Sequence, residues 1–172
     1  TATAALNWYQ SFRSLVEAGY HVVAIDHRGH GRGLRSAHGF TLEDCADDVA
    51  VAADQLGIRR FIAVGYSMGG PIAQLVWHRH RPLVDGLVLC STAATFHGRR
   101  SETALFGLLG GLSLAARHVP DGWPHHIHDR IRDRRFDDSD AGRWAAAETR
   151  NHDPHHLLEA GRAIGRFDSR PW

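Results

Sequence analysis

Through the first half of the chain, short apolar runs alternate with stretches of helical periodicity, and that alternation excludes most fold classes. YHVVAID at 20–26, FIAV at 61–64 and LVLC at 87–90 read as strands. The β-branched run at 20–26 is expected to be covered on both faces, as parallel strands are. Parallel neighbours need a crossover of a dozen or more residues, and longer connections than that, each holding a helical segment, lie between the runs. The expectation is an α/β fold: a mostly parallel sheet flanked by helices.

The helical segments carry their own punctuation. Trp8, Phe12, Leu15 and Val16 share one face of a first helix that Gly19 stops. Thr41 caps a second helix, with Asp44 three residues on as a weak capping box. Its apolar stripe is Leu42, Cys45, Val49, Ala53 and Leu56, and Gly57 ends it. A third helix is expected over 71–79. Beyond 93 the strand signal disappears. Helices are expected over 104–117, 141–150 and 154–166, the last opened by Asp153 and Pro154. The chain therefore divides into an α/β part at 1–92, a helical part at 93–166 and a lead-in to a further strand at 167–172.

Composition narrows the function classes. Twenty basic residues, all Arg, face nineteen acidic ones for a net charge of +1, so no field steers the molecule toward nucleic acid or an anionic membrane. The longest stretch free of charge and His, 61–77, has 17 residues including three Gly and a Pro, short of the roughly 20 apolar residues that span a bilayer. Two cysteines, Cys45 and Cys90, are too few for a disulfide framework and suit small core positions in a cytoplasmic protein. The chain opens on Thr1 with no basic and apolar leader, which is the expectation for an excerpt of a longer protein.

The chemistry is concentrated in GYSMGG at 65–70, a G-x-S-x-G pattern entered by an apolar strand and left by a helix. A strand-to-helix turn that tight holds Ser67 in a strained conformation with its hydroxyl projecting above the sheet edge. Gly65 and Gly69 are expected where side chains would collide across the turn, with Gly70 opening the helix. The free amides of the helix start let the Met68 N–H stabilise a tetrahedral oxyanion, and Tyr66 lies beside the nucleophile as a substrate-lining candidate.

Together with IDHRGHGRG at 25–33 and the spacing between the two motifs, GYSMGG resembles the α/β-hydrolase superfamily, in particular its members with a helical cap over the active site. The resemblance covers essentially the whole chain, although Arg32-Gly33 replaces the Ser often found after the first turn. It implies a serine hydrolase that forms an acyl-enzyme on Ser67 with no cofactor and no metal, acting on an apolar or acyl small molecule. Ser at 67 speaks against the relatives that place a carboxylate at this elbow, the haloalkane dehalogenases and epoxide hydrolases. Cofactor-free haloperoxidases, C–C bond hydrolases and acyltransferases share the fold and remain alternatives. So does a catalytically inactive fragment or binding module.

Asp26, Arg28, Gly29 and Gly31 are expected to fix the first turn, a buried Asp beside an Arg suiting an ion pair. Residues 93–166 become the cap, with Leu105, Phe106 and Leu109 as an apolar wall for the substrate. The family's second oxyanion donor follows a His-Gly motif that would precede Thr1, and its acid and catalytic His follow strands beyond the cap. A minority of relatives carry the acid after the preceding strand, but 90–100 contains no carboxylate. Neither acid nor His is therefore assigned in this chain, and the excerpt alone is expected to be nearly inactive. His125, His126 and His128, and likewise His152, His155 and His156, lack a metal-ligand spacing and are expected to face solvent. The resemblance also implies a strand order in which 20–26 and 61–64 are not neighbours, whereas 86–90 pairs in parallel with 61–64.

Overall fold

A computed structural model describes residues 4–36, 38–96, 143–144, 147–148 and 154–172. They fall into two compact units, Ala2–Ala37 with Ala116–Leu157 and His38–Ala115 with Leu158–Trp172. The helix expected over 104–117, with Leu105, Phe106 and Leu109, and all the cap histidines except His155 and His156 lie outside the described residues.

In the first unit, helix α1 (Ala4–Glu17) ends as its sequence requires. Gly19 takes φ +89, and the Tyr20 amide closes back on the Leu15 carbonyl at 3.0 Å. Trp8 and Phe12 are half-buried, but Leu15 and Val16 are 38% and 60% exposed, so the apolar face is covered only along its first turns. Residues 20–26 differ from expectation. They form no ladder, and none of them is buried. A β-branched run becomes a strand only when a neighbouring strand pairs with it, and no described strand does so.

The turn after this run is tightly held. The Asp26 carboxylate accepts the Arg32 amide at 3.0 Å, and the Arg35 guanidinium donates to the carbonyls of Gly31 and Gly33 at 2.6 and 2.9 Å. Gly29 and Gly31 sit at φ +72 and +52, where a side chain is costly. Arg32 reaches the buried Glu148 at 2.7 Å. His156 is 6% exposed, against the expectation that it faces solvent. Bare Gly29 makes room for it: a Cβ there would lie 2.2 Å from that of His156.

The second unit holds the sheet. Helix α2 (Leu42–Gln55) is capped by the Thr41 hydroxyl, which accepts the Asp44 amide at 3.0 Å, and Gly57 at φ +67 closes its far end. Strand β1 (Phe61–Tyr66) leads to helix α3 (Gly69–Arg79), and a 3-10 turn at Arg81–Leu83 leads to strand β2 (Val84–Cys90). The two strands pair in parallel, from Ile62 opposite Gly86 to Tyr66 opposite Cys90. The ladder implied between 61–64 and 86–90 is present, and the sheet of the described residues contains these two strands alone. Helix α4 (Pro154–Arg166) keeps its expected bounds.

Side-chain burial fixes which face of the sheet is covered. Ala63 and Gly65 are buried with Leu42, Cys45 and Ala46 of α2 and Ile72 and Val76 of α3, whereas Ile62, Val64 and Tyr66 are each nearly half exposed. Seven successive residues, Gly70 to Val76, are buried, so the start of α3 is enclosed all round. Leu56, expected to extend the stripe of α2, is 56% exposed beyond the helix end, and Cys90 is half-buried. Among the described residues, no helix is long and apolar enough to cross a membrane.

The second turn of α2 and the last turn of α3 are clamped by charge. Asp47 accepts two hydrogen bonds from Arg79, at 2.7 and 3.0 Å, and lies 2.7 Å from His80 Nε2. The Arg79 hydrogen bonds, reinforced by His80, hold the Asp47 carboxyl below its ordinary value of 3.8. The folded carboxyl is thus easier to ionise than the unfolded one. Its contribution is present above pH 3.8 and vanishes as pH falls through the folded value. The cluster is partly exposed, so Asp47→Asn is expected to cost only about 0.5–1 kcal/mol near neutrality. In urea unfolding, the gap between variant and native protein should close in acid. A gap that persists unchanged at about pH 2 would remove Asp47 ionisation as its cause.

Candidate active site

Ser67 occupies the two-residue turn between β1 and α3 at φ +51. Holding a non-glycine residue there costs about 1–3 kcal/mol, and the surroundings over-determine it. The Ser67 amide donates to the Cys90 carbonyl at 3.0 Å, carrying the ladder one residue past the end of β1. The Ser67 carbonyl accepts the Gly70 amide at 2.9 Å, which closes the turn.

The glycines divide unequally. A Cβ on Gly65 would stand 2.2 Å from the Gly69 carbonyl oxygen and 2.7 Å from the Gly70 Cα, so strand and helix meet backbone to backbone. A Cβ on Gly70 would strike the Thr92 side chain at 2.1 Å. Gly69 differs from the expected collision, since a Cβ there meets nothing within 4 Å. The close approach runs from Gly65 to the peptide joining Gly69 and Gly70, and the Gly69 α-carbon faces away from it.

Ser67 itself is exposed, whereas the Met68 side chain is 6% exposed and anchors the start of α3 in the core. Met68 is the N-cap of α3, without a side-chain cap. The first amides of a helix have no carbonyl one turn back, and with the helix dipole they favour an anion beside Ser67. Among the described residues, the Ser67 hydroxyl has no hydrogen-bond partner, and no group of three His, Cys, Asp or Glu could hold a metal.

The segment after β2 is fixed by a polar network that the sequence does not announce. Gln74 is the one polar side chain in the buried run of α3, and a buried amide must be satisfied. Its Nε2 donates to the Ala93 carbonyl at 3.2 Å, and its Oε1 accepts the Ser169 hydroxyl at 2.7 Å. The Ser169 amide donates to the Ala94 carbonyl at 2.8 Å, and Thr95 bridges Asp168 in antiparallel fashion. Ser91, between β2 and this network, sits at φ +48. Nothing in CSTAA marks it from the sequence, because serine carries no signal for a left-handed backbone.

Known proteins resemble this chain over much of its length. Residues 2–123 match the family model described as alpha/beta hydrolase fold. A non-heme haloperoxidase from Rhodococcus erythropolis is 31% identical over 127 residues, 74% of this chain and 41% of the relative. A bifunctional esterase/perhydrolase from Acinetobacter calcoaceticus is 27% identical over 76% of the chain and 42% of its own length. The chain thus spans about two fifths of these curated relatives. An esterase from Exiguobacterium antarcticum superposes with a TM-score of 0.73 over 99% of this chain and 64% of the esterase, at 22% identity, a likeness of fold. The motif at 65–70, the turn at 26–35 and the parallel β1–α3–β2 unit all lie inside the matched span, and the chain belongs to the alpha/beta hydrolase fold family.

Proposed function

We propose that Ser67 is the nucleophile of a serine hydrolase acting on a carboxylic ester or related acyl compound. The observation that carries this reading is a serine at φ +51, exposed between β1 and the first amides of α3. In the first step the Ser67 oxygen bonds to the acyl carbon while a general base takes its proton. The oxyanion that forms is held by the Met68 amide. Collapse expels the alcohol, which leaves with a proton, and water then releases the acid and restores the hydroxyl. No described residue is assigned as base or acid. The apolar residues Leu105, Phe106 and Leu109 are the proposed wall for the acyl group, with Tyr66 beside the nucleophile. The two cysteines, neither in a disulfide, suit a cytoplasmic setting.

Two of the relatives favour a second reading, since one is named a haloperoxidase and the other an esterase/perhydrolase. The same acyl-enzyme attacked by hydrogen peroxide instead of water would release a peracid and the free serine. A C–C bond hydrolase or acyltransferase would share Ser67 and differ in the group bound. A fluorophosphonate probe tests the common core of these readings: in the full-length protein it should label Ser67 and no other residue. Peptide mapping that finds Ser67 unmodified under conditions that label a control esterase would support the inactive-module reading instead.

A further inference from the structure

We propose that Ser91 is a specificity-determining residue of this site, its hydroxyl binding an oxygen substituent on the acyl part of the substrate. The inference rests on the hydrolase reading above. Among the described residues, Ser67 and Ser91 are the two non-glycine residues with positive φ, at +51 and +48. They are also structural neighbours. Tyr66 is the ladder partner of Cys90, and each serine directly follows the last residue of its strand. The 3.0 Å bond from the Ser67 amide to the Cys90 carbonyl holds Ser67 against the peptide that joins Cys90 to Ser91. Adjacent strands lie about 4.8 Å apart, so the two serines leave neighbouring strand ends at the same end of the sheet.

The two strained positions differ in cause. At Ser67 the contact from Gly65 to Gly69 and Gly70 forces the turn. At Ser91 the backbone is bent by its next three residues: Thr92 is lodged against Gly70, Ala93 is tied to Gln74, and Ala94 to Ser169. Glycine would occupy such a position at less cost, so a serine there indicates a use for its side chain. Ser91 is exposed, and among the described residues its hydroxyl has no partner. An uncharged group that both donates and accepts suits a hydroxyl or keto oxygen one or two bonds from a carbonyl carbon held at Ser67.

The test compares two esters of one alcohol, the 2-hydroxypropanoate and the propanoate, with the full-length protein. The ratio of their kcat/KM values should fall three- to tenfold in Ser91→Ala and in Ser91→Gly, mainly through KM. Ser91→Gly should also raise the melting temperature, which Ser91→Ala should not, so strain relief and loss of the hydroxyl are read separately. A ratio unchanged in both variants overturns the proposal. If Ser67 proves unreactive toward the fluorophosphonate, the hydrolase reading fails separately. Calorimetric titration with lactate and propanoate then decides Ser91: a lactate preference lost in Ser91→Ala upholds its role, and equal binding refutes it.

Discussion

Ser67→Ala is expected to lower ester turnover by about 10⁴–10⁶-fold, the scale on which an acyl-enzyme mechanism loses rate with its nucleophile. Stability should barely move. The side chain is exposed, its hydroxyl has no partner among the described residues, and alanine meets the same left-handed backbone. Ser67→Gly should be equally inactive but more stable by up to about 1 kcal/mol, because glycine adopts this conformation freely. Turnover and thermal melts of the two variants check both halves. An alanine variant that keeps turnover within tenfold of the native protein would remove Ser67 from the chemistry.

Gly65→Ala is expected to be the most destabilising small substitution in the sheet unit, costing upwards of about 4 kcal/mol. A methyl group 2.2 Å from the Gly69 carbonyl oxygen and 2.5 Å from its carbon collides with backbone, which no rotamer change can move aside. Relief requires β1 and α3 to separate, and that would open the core around Ile72 and Val76. Gly69→Ala supplies the control. Its methyl meets nothing within 4 Å, and alanine favours the helix, so stability should hold or rise by up to about 1 kcal/mol. Urea unfolding separates the two. Equal midpoints for the variants would mean that strand and helix do not meet backbone to backbone.

Most of the legible fold is set by neighbours in sequence. The Thr41 cap, the glycine stops at 19 and 57 and the close approach of Gly65 to Gly69 and Gly70 all depend on contacts within a few residues. The illegible part depends on distant partners. Strand β2 begins three residues earlier than its apolar run, at Val84, although Asp85 and Gly86 are poor strand formers. Pairing with 61–62 and the ion pair from Asp85 to Arg60 draw them in. Residues 20–26 have the composition of a strand but pair with no described strand, and His156 is buried because a glycine lies opposite it. The site divides in the same way. Ser67 is legible because its motif is local, while Ser91 and Gln74 owe their settings to segments that meet only in the fold.

The bond between Gln74 and Ser169 joins residues 95 apart in the chain, whereas β1 and β2 meet across a crossover of one short helix. Closing a long loop costs more entropy than closing a short one, and its contacts come late in folding. The β1–α3–β2 unit should therefore assemble first, with the Gln74 amide still bound to water. Docking of 167–169 then replaces that water and seals the unit. The order of assembly implies a shallow last step, in which 167–169 can separate from Gln74 while the strands stay paired. Pulsed hydrogen exchange should find the amides of β1 protected before that of Ser169, and simultaneous protection would show that 167–169 and the strands fold as one.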